Sequence, residues 1–243
     1  MIRLPLGALV FLACAIGLKP ADAPAPPKEK LIYAVEWRLI HAGTATVETF
    51  PAAARVTLES AGLVSALFKI HDIYNVTYED PLCATSSSMD ASEGKRHHDT
   101  KITFDRRQGR AFFAERDLAN NSTVRKTEVE TPNCVHDVVG ALLRLRGLKL
   151  EPGQSAQLPI SDGRKTASVK VDAQQRETIK TPAGSFQTMR YEANLLNGVV
   201  YQRKGRVFAW ISEDARRLPV RFELRLNFPA GTVYIDLQKA ERQ

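Results

Sequence analysis

The sequence predicts a mostly β protein whose antiparallel sheet is strongly curved or forms an open barrel. Apolar and polar residues alternate with period two along most of the chain after residue 29, which is typical of half-buried strands. Clusters of Gly, Pro, Asn and Asp separate these segments, as turns between strands require. About a dozen strands in a flat sheet would leave long unpaired edges, so curvature is expected. We therefore expect one β-rich domain over residues 29–240.

The first residues predict an exported protein. A single arginine precedes an almost continuous apolar run over residues 4–18, which is shorter than the roughly 20 residues of a membrane-spanning helix. The tripeptide Ala-Asp-Ala then ends a secretory signal peptide at residues 1–23, which places the mature protein in the periplasm. Residues 24–28 form a proline-rich tether. The alternative is a lipoprotein signal, with Phe-Leu-Ala before Cys14 and a lipid anchor on that cysteine.

The charge distribution favours an envelope partner over nucleic acid. The formal net charge is +7, and a modest basic excess attracts anionic neighbours such as phospholipid head groups. We therefore expect a lipid or another envelope component as partner, and peripheral contact with a membrane is compatible with this charge. Basic residues alternate with acidic ones and form no stripe with aromatic residues, so nucleic acid is not expected as a partner.

The two cysteines that follow the signal predict one disulfide. Cys83 and Cys134 form an even pair in an exported chain. Their bond would close a loop of about 50 residues and contribute on the order of 4 kcal/mol in the chain-entropy model. Two buried thiols are the alternative. Neither cysteine belongs to a Cys-x-x-Cys motif, which argues against redox catalysis.

The alternating segments predict the strands in chain order. Before the main helix, strands are expected over residues 31–39, 44–50, 55–60, 72–79, 85–91, 101–106, 110–115 and 122–130. After the helix, they are expected over residues 156–160, 166–173, 177–181, 186–195, 205–212, 220–227 and 232–238.

The main helix is expected at about residues 134–147. A wide apolar stripe follows Asn133, the expected N-cap, and basic residues occupy the last turn before Gly147, where they favour the negative end of the helix dipole. We expect this amphipathic helix to lie against the concave side of the sheet. Leu142 is then a candidate contact for an apolar ligand.

A shorter helix is expected at about residues 62–70. Leu63, Leu67 and Phe68 share its apolar side. They are candidate contacts for an apolar ligand if the helix forms a lid over a cavity. Packing in the core of the protein is the alternative.

The stretch WISEDARRLPV joins two strands through a highly charged turn. Trp210 lies on a strand with apolar residues on both faces, which indicates a central strand. Asp214 is expected to accept backbone N–H bonds and to pair with Arg216 or Arg217, while Pro219 sets the start of the returning strand. The turn is either structural, held by charge-assisted hydrogen bonds, or an arginine pair that binds an anionic head group or polymer.

No sequence motif indicates a reaction. The chain contains no Gly-x-Ser-x-Gly, His-Glu-x-x-His, Walker or dinucleotide-binding pattern. His97 and His98 are neighbours on an expected strand and point to opposite faces, so they cannot hold one ion without a bulge. His136 and Asp137 diverge at the helix start, where Asp137 is expected to stabilise the positive end of the dipole. No catalytic residue, metal or cofactor is predicted.

Four segments resemble an exported bacterial family known as domain of unknown function 3108. They are the opening LIYAVEW with HAGTA, the central VHDVVGAL, the turn TPAGSF and the stretch WISEDARRLPV, in the family's order across about residues 29–238. The resemblance implies an envelope location and a β-rich fold related to the half-barrels that carry lipoproteins and lipids. It implies no reaction. The central helix has Leu142 and Leu143 where many relatives have aromatic residues, so an inherited pocket would differ in shape.

Three functions remain open at this point. The first is a non-enzymatic periplasmic or envelope protein that binds a lipid or another amphipathic ligand in the concave face of its sheet. The second is a scaffold or assembly factor that binds another envelope protein by strand addition or through the basic turn. The third is a hydrolase of envelope polymers, for which no paired-carboxylate motif is present.

Overall fold

The computed structural model describes residues 28–79, 82–193, 205–226 and 231–242. The predicted signal peptide, the alternative anchor Cys14 and all of the tether except its last residue lie outside the described residues. Within the described part of the chain, no helix is long and apolar enough to cross a membrane.

In the described part of the chain, fourteen strands form one antiparallel sheet, which confirms the predicted fold class. The strands are β1 (Glu29–Trp37), β2 (Ile40–Phe50), β3 (Ala53–Ser60), β4 (Ile70–Glu79), β5 (Cys83–Glu93), β6 (Arg96–Asp105), β7 (Arg110–Asp117), β8 (Ser122–Glu130), β9 (Ser155–Ser161), β10 (Thr166–Thr181), β11 (Gly184–Ala193), β12 (Gly205–Ser212), β13 (Pro219–Leu226) and β14 (Thr232–Arg242). Strands that follow one another in the chain pair with each other, except β8 and β9, which form the two edges of the sheet. In addition, β1 pairs with β14.

The strand β10 joins two segments that the sequence predicts as separate strands. The register shifts between Ala173 and Arg176, and such a bulge bends a strand without ending it. The predicted strand ends at residues 194–195 and 227 lie outside the described residues.

The sheet curls until the β9–β10 turn meets strands near the opposite edge. A Cβ placed on Gly163 in this turn would lie 2.8 Å from a side-chain carbon of Ile102 in β6. The guanidinium of Arg164 lies 5.6 Å from the ring centroid of Phe113 in β7. The described parts of the two edge strands do not pair with each other. The result is an open, barrel-like sheet with a concave interior.

The central helix α2 spans Val138–Gly147 and begins later than the sequence predicts. Its N-cap is Asp137, whose carboxylate accepts hydrogen bonds from the backbone N–H groups of Val139 and Gly140. The predicted start at residue 134 and the predicted cap Asn133 are therefore wrong.

Three partners hold the residues before α2 in an extended conformation. Cys134 is disulfide-bonded to Cys83, and the carbonyl of Val135 accepts the N–H of Ala84 at 2.8 Å. His136 forms a parallel bridge with strand β9. These bonds engage backbone groups that a first helical turn would need, and they connect the start of β5 to an edge of the sheet.

The short helix α1 spans Gly62–Leu67 and ends before the predicted residue 70, where β4 begins. None of its residues is buried, and Leu63 and Leu67 are 70% and 88% exposed. The expectation that this helix packs in the core is wrong. With fewer than two turns, it lies in the β3–β4 connection at the rim of the sheet and covers no concave surface.

The core lies between α2 and the concave face of the sheet. Ala141 and Leu145 of α2 pack with buried residues of β9, β10 and β11. Leu143 packs with buried residues of β4 to β7. The helix therefore fills part of the interior and contacts both halves of the sheet.

Candidate functional site

An apolar cavity of about 330 Å³ lies between α2 and the concave face. The helix contributes Val139, Leu142 and Leu145 to its wall, so the predicted candidate Leu142 lies in this wall. The sheet contributes residues from β1 to β3 and from β9 to β14, including Ala45, Val47, Val56, Ala193, Val207 and Leu224.

Two tyrosines supply the side-chain polar atoms of the described cavity wall, and the protein satisfies both. The hydroxyl of Tyr33 donates to the carbonyl of Pro219 at 2.9 Å. The hydroxyl of Tyr191 accepts a hydrogen bond from Arg217 at 3.2 Å. Burial raises the pKa of Tyr33 above its usual range, so this phenol stays neutral. The wall is therefore suited to hydrocarbon.

A second, more polar cavity of about 380 Å³ adjoins the apolar one. It lies between the start of α2, strands β3 to β6 and the β9–β10 turn. Both cavities share Val56, Val138 and Val139 as lining residues. The polar lining residues are Asp72, Tyr74, Ser87, Ser88, Thr100, Asp137, Ser161 and Asp162.

Asp72 is the carboxylate of this second cavity that keeps unused hydrogen-bonding capacity. Asp72 is only 5% exposed. Among the described residues, its carboxylate accepts one hydrogen bond, from the N–H of Ser92 at 3.1 Å. It forms no ion pair with a described residue. Burial, followed by repulsion from Glu93, raises its pKa to about 6.

The other two lining carboxylates already have partners. Asp137 caps α2 and accepts the hydroxyl of Tyr74 at 2.9 Å. Burial raises the pKa of Asp137, and its backbone and tyrosine hydrogen bonds act in the opposite direction. Asp162 pairs with Arg164 at 2.8 Å. Both carboxylates are thereby committed to the local structure.

At its other end, α2 is fastened to the charged turn of the WISEDARRLPV stretch. Buried Arg146 pairs with buried Glu29 of β1 and donates to the carbonyls of Arg216 and Arg217. Arg217 in turn donates to the carbonyls of Arg146 and Leu148. These bonds satisfy helix-terminal carbonyls that have no partner within the helix.

Asp214 organises the turn through the backbone, as expected, but forms no ion pair. Its carboxylate accepts the N–H groups of Arg216 at 2.9 Å and Arg217 at 3.2 Å, and the hydroxyl of Ser212. Within the described residues, neither arginine side chain pairs with it, because Arg217 turns toward α2. The Nε and Nη2 atoms of Arg216 are buried without a described partner. Anion binding at Arg216 stays a prediction.

The remaining predicted residues lie away from the two cavities. Trp210 donates its Nε1–H to Glu177 at 2.9 Å, and Pro219 begins β13. Leu63, Leu67 and Phe68 are absent from the described walls of both cavities.

The adjacent histidines have separate partners on opposite faces of the sheet. His97 pairs with Asp90 at 2.8 Å, and His98 pairs with Glu115 at 3.0 Å. Among the described residues, no group of three or more His, Cys, Asp or Glu side chains could hold a metal ion.

Sequence reasoning missed Asp72, which lines the second cavity. A signal for it exists in β4, where Asp72, Tyr74, Val76 and Tyr78 occupy alternate positions and share the concave face. A carboxylate among residues that face a core is unusual, because burying an unpaired charge is costly.

The fold and the site define an open, β-barrel-like protein with internal cavities beside a central helix. The model of the family described as "Protein of unknown function (DUF3108)" matches residues 32–238. The chain therefore belongs to this family, as the resemblance predicted. No curated protein matches the sequence.

A solved structure shares the fold at low sequence identity. A β-barrel-like protein of domain of unknown function DUF1849 from Brucella abortus aligns with a TM-score of 0.61 at 8% identity, covering 91% of this chain and all of that one (100%). A protein from Bacteroides fragilis, provisionally described as exported and with a YmcC-like fold, aligns with a TM-score of 0.34 at 10% identity, covering 91% of this chain and 99% of its own. The first likeness supports the barrel-like fold; the second is too distant to support an argument.

Proposed function

We propose that this protein is a non-enzymatic, periplasmic protein of the bacterial envelope that holds the apolar part of a lipid or another amphipathic ligand. The observation that carries the proposal is the apolar cavity of about 330 Å³ between α2 and the sheet, a volume within the roughly 300–1,000 Å³ of ligand pockets. The signal peptide expected at residues 1–23 supports the location.

The apolar wall of this cavity is the feature that a ligand would cover. A hydrocarbon chain in the cavity would remove apolar surface from water. Because the chain would bind only the folded protein, it would also stabilise the folded state.

The two alternatives have less support. A hydrolase with paired carboxylates would need a second free carboxylate opposite Asp72, and both other carboxylates of the described cavity walls are engaged. A scaffold that works by strand addition would use the exposed edge β8. Its nine residues include four charged ones: Arg125, Lys126, Glu128 and Glu130. Charges on an edge strand oppose pairing with another chain.

A second candidate property is contact between the rim of the sheet and an anionic membrane surface. Leu63, Leu67 and Phe68 are exposed there, and Lys69 follows directly. The carbonyl of Lys69 accepts the N–H of Gly94 in the β5–β6 turn at 2.7 Å. We name this surface the basic rim: its members are Leu63, Leu67, Phe68, Lys69, Lys95 and Arg96.

The charges of the basic rim support this contact. Lys69, Lys95 and Arg96 are exposed and form no ion pair with a described residue. Exposed apolar side chains beside basic ones are the arrangement with which peripheral proteins bind anionic bilayers. The ligand would then be exchanged with a membrane.

Purification from the native periplasm followed by native mass spectrometry and organic extraction tests ligand binding. We expect a lipid or acyl species bound to the wild-type protein. The variant Ala45→Phe fills the cavity and should lose this species, while Thr46→Phe, which faces the other side of the same strand, should retain it. A wild-type protein without ligand, and without a thermal shift on adding envelope lipids, would contradict the proposal.

Sedimentation with vesicles tests the basic rim. Wild-type protein should bind vesicles of phosphatidylglycerol and phosphatidylcholine, and Leu63→Glu with Leu67→Glu should release it. Val124→Glu on β8, where Val124 is 49% exposed, is the matched control. Equal binding by the rim variant and the control would remove the rim from the proposal.

A further inference from the structure

The polar cavity beside Asp72 points to the chemistry of the ligand's head group, an inference that rests on the proposed function. We propose that this cavity binds the head group of the ligand whose chain occupies the apolar cavity. We propose further that the head group donates hydrogen bonds, as an ammonium or a hydroxyl does, and is not a phosphate or carboxylate.

The two cavities are placed to receive the two parts of one amphipathic molecule. They meet at Val56 on β3 and at Val138 and Val139 in the first turn of α2. On one side of these valines the described wall is almost entirely hydrocarbon. On the other side most of the exposed wall is also hydrocarbon, but Asp72 and Ser87 line it with a carboxyl and a hydroxyl group. Polar groups at one end of an apolar space match the arrangement of head and tail in a single-chain amphiphile.

Two buried side chains on neighbouring strands have acceptor capacity that the protein does not use. Asp72 and Ser87 are each 5% exposed and both line the cavity. Asp72 accepts a single hydrogen bond. The hydroxyl of Ser87 has no hydrogen-bond partner among the described residues, although it lies near Tyr74. Buried polar groups without partners are rare in native proteins, and a bound ligand is one explanation for them.

The charge of the cavity selects against anions. No lysine or arginine belongs to its described wall, and the nearby Arg164 is paired with Asp162. A phosphate or carboxylate head group would therefore meet Asp72 without a compensating cation. An ammonium or hydroxyl group would instead donate to Asp72 and to Ser87, whose oxygen can accept. The described wall thus discriminates by repulsion as well as by attraction.

Four single-chain probes, each with a straight twelve-carbon chain, test the inference at pH 7.5. They are dodecylammonium, monododecanoylglycerol, dodecanoate and dodecyl phosphate, titrated calorimetrically below their micelle concentrations into delipidated mature protein. We expect the two donor probes to bind at least about tenfold more tightly than the two anions, because a hydrogen bond to a buried charged group is worth that much.

Three variants assign the preference to its residues. Asp72→Asn should bring the affinity ratio of dodecylammonium to dodecyl phosphate close to one, and Ser87→Ala should weaken the glycerol probe several-fold. Glu130→Gln, at an exposed position of the edge strand β8, should leave the ratio unchanged. Thermal unfolding checks that each variant is folded.

The outcomes separate this inference from the proposal beneath it. If no probe binds the wild-type protein, the proposed function fails and the head-group assignment fails with it. If all probes bind and Ala45→Phe abolishes binding, but the anions bind as well as the donors or Asp72→Asn leaves the ratio unchanged, only the head-group assignment is overturned.

Discussion

Arg146 and Arg217 each bind the backbone carbonyl of the other. The Nε of Arg146 donates to the carbonyl of Arg217 at 2.9 Å, and the Nε of Arg217 donates to the carbonyl of Arg146 at 3.1 Å. Arg217 has a positive φ of 49°, a conformation that side-chain-bearing residues seldom adopt. This reciprocal pair fixes the helix that lines the apolar cavity to the charged turn.

Replacing Arg217 should lower the free energy of unfolding. Arg217→Ala removes side-chain donors from two helix-terminal carbonyls and should cost about 2 kcal/mol. Arg217→Lys should recover little, because an ammonium cannot reproduce the planar fork of a guanidinium. Urea unfolding measures both changes. Arg107→Ala is the control, because this arginine is exposed and its side chain forms no hydrogen bond or ion pair with a described residue. An Arg217→Lys variant as stable as wild type would count against this account.

Breaking the buried pair between Glu29 and Arg146 should be severe. Both side chains are almost fully buried, and removing one charge of such a pair typically costs about 3–5 kcal/mol. We expect Arg146→Met or Glu29→Leu to show this loss in chemical denaturation. The double variant should recover much of it, because no unpaired charge then stays buried. A double variant as unstable as the sum of the two single variants would argue against coupling.

The disulfide should contribute strongly to stability. Cys83 and Cys134 are bonded across 51 residues, and a loop of that length corresponds to about 4 kcal/mol in the chain-entropy model. Replacing both cysteines with alanine should lower the melting temperature, and a reductant should then have no further effect. When the wild-type protein is unfolded in denaturant without reductant, an alkylating reagent should label neither Cys83 nor Cys134. Two labels per chain would mean that both thiols are free.

Asp72 should make stability depend on pH. Its pKa is raised from 3.8 to about 6, so the folded state binds its proton more tightly than the unfolded state. Stability therefore decreases as the pH rises from about 4 through 6, by at most about 3 kcal/mol. Asp72→Asn removes this dependence and should be more stable than wild type at pH 7.5.

Unfolding curves at several pH values give the measurement. The difference in the free energy of unfolding between wild type and Asp72→Asn should shrink as the pH falls toward 4. Glu130→Gln, at an exposed position of β8, is the control. A difference that does not change with pH would show that the asparagine acts through packing instead. A carboxylate that lowers stability at neutral pH is the kind of residue that function retains.

The strands were predictable because their signal is local. Alternation places side chains such as Leu31 and Tyr33 on one face whatever the rest of the chain does, and both are buried in the structure. The start of α2 was not predictable in this way. Its extended approach depends on Ala84 and on strand β9, which are distant in sequence.

The candidate site required contacts that no local pattern contains. Leu142 could be proposed from its position on an apolar stripe, but the exposure of Leu63 and Leu67 follows from where the β3–β4 connection lies. The partly unsatisfied state of Asp72 emerges only once its neighbours on β3, β5 and α2 are in place.

The sequence by itself determined a β-rich chain of the DUF3108 family, the position of most strands and the pair of cysteines, because periodicity, motif order and residue type are properties of short segments. Only the tertiary structure decided that the sheet curls around α2, that Arg146 and Arg217 fasten this helix, and that apolar and polar cavities meet at its first turn. Cavities and buried charges depend on which distant surfaces face each other, and that is set when the whole sheet closes around its core.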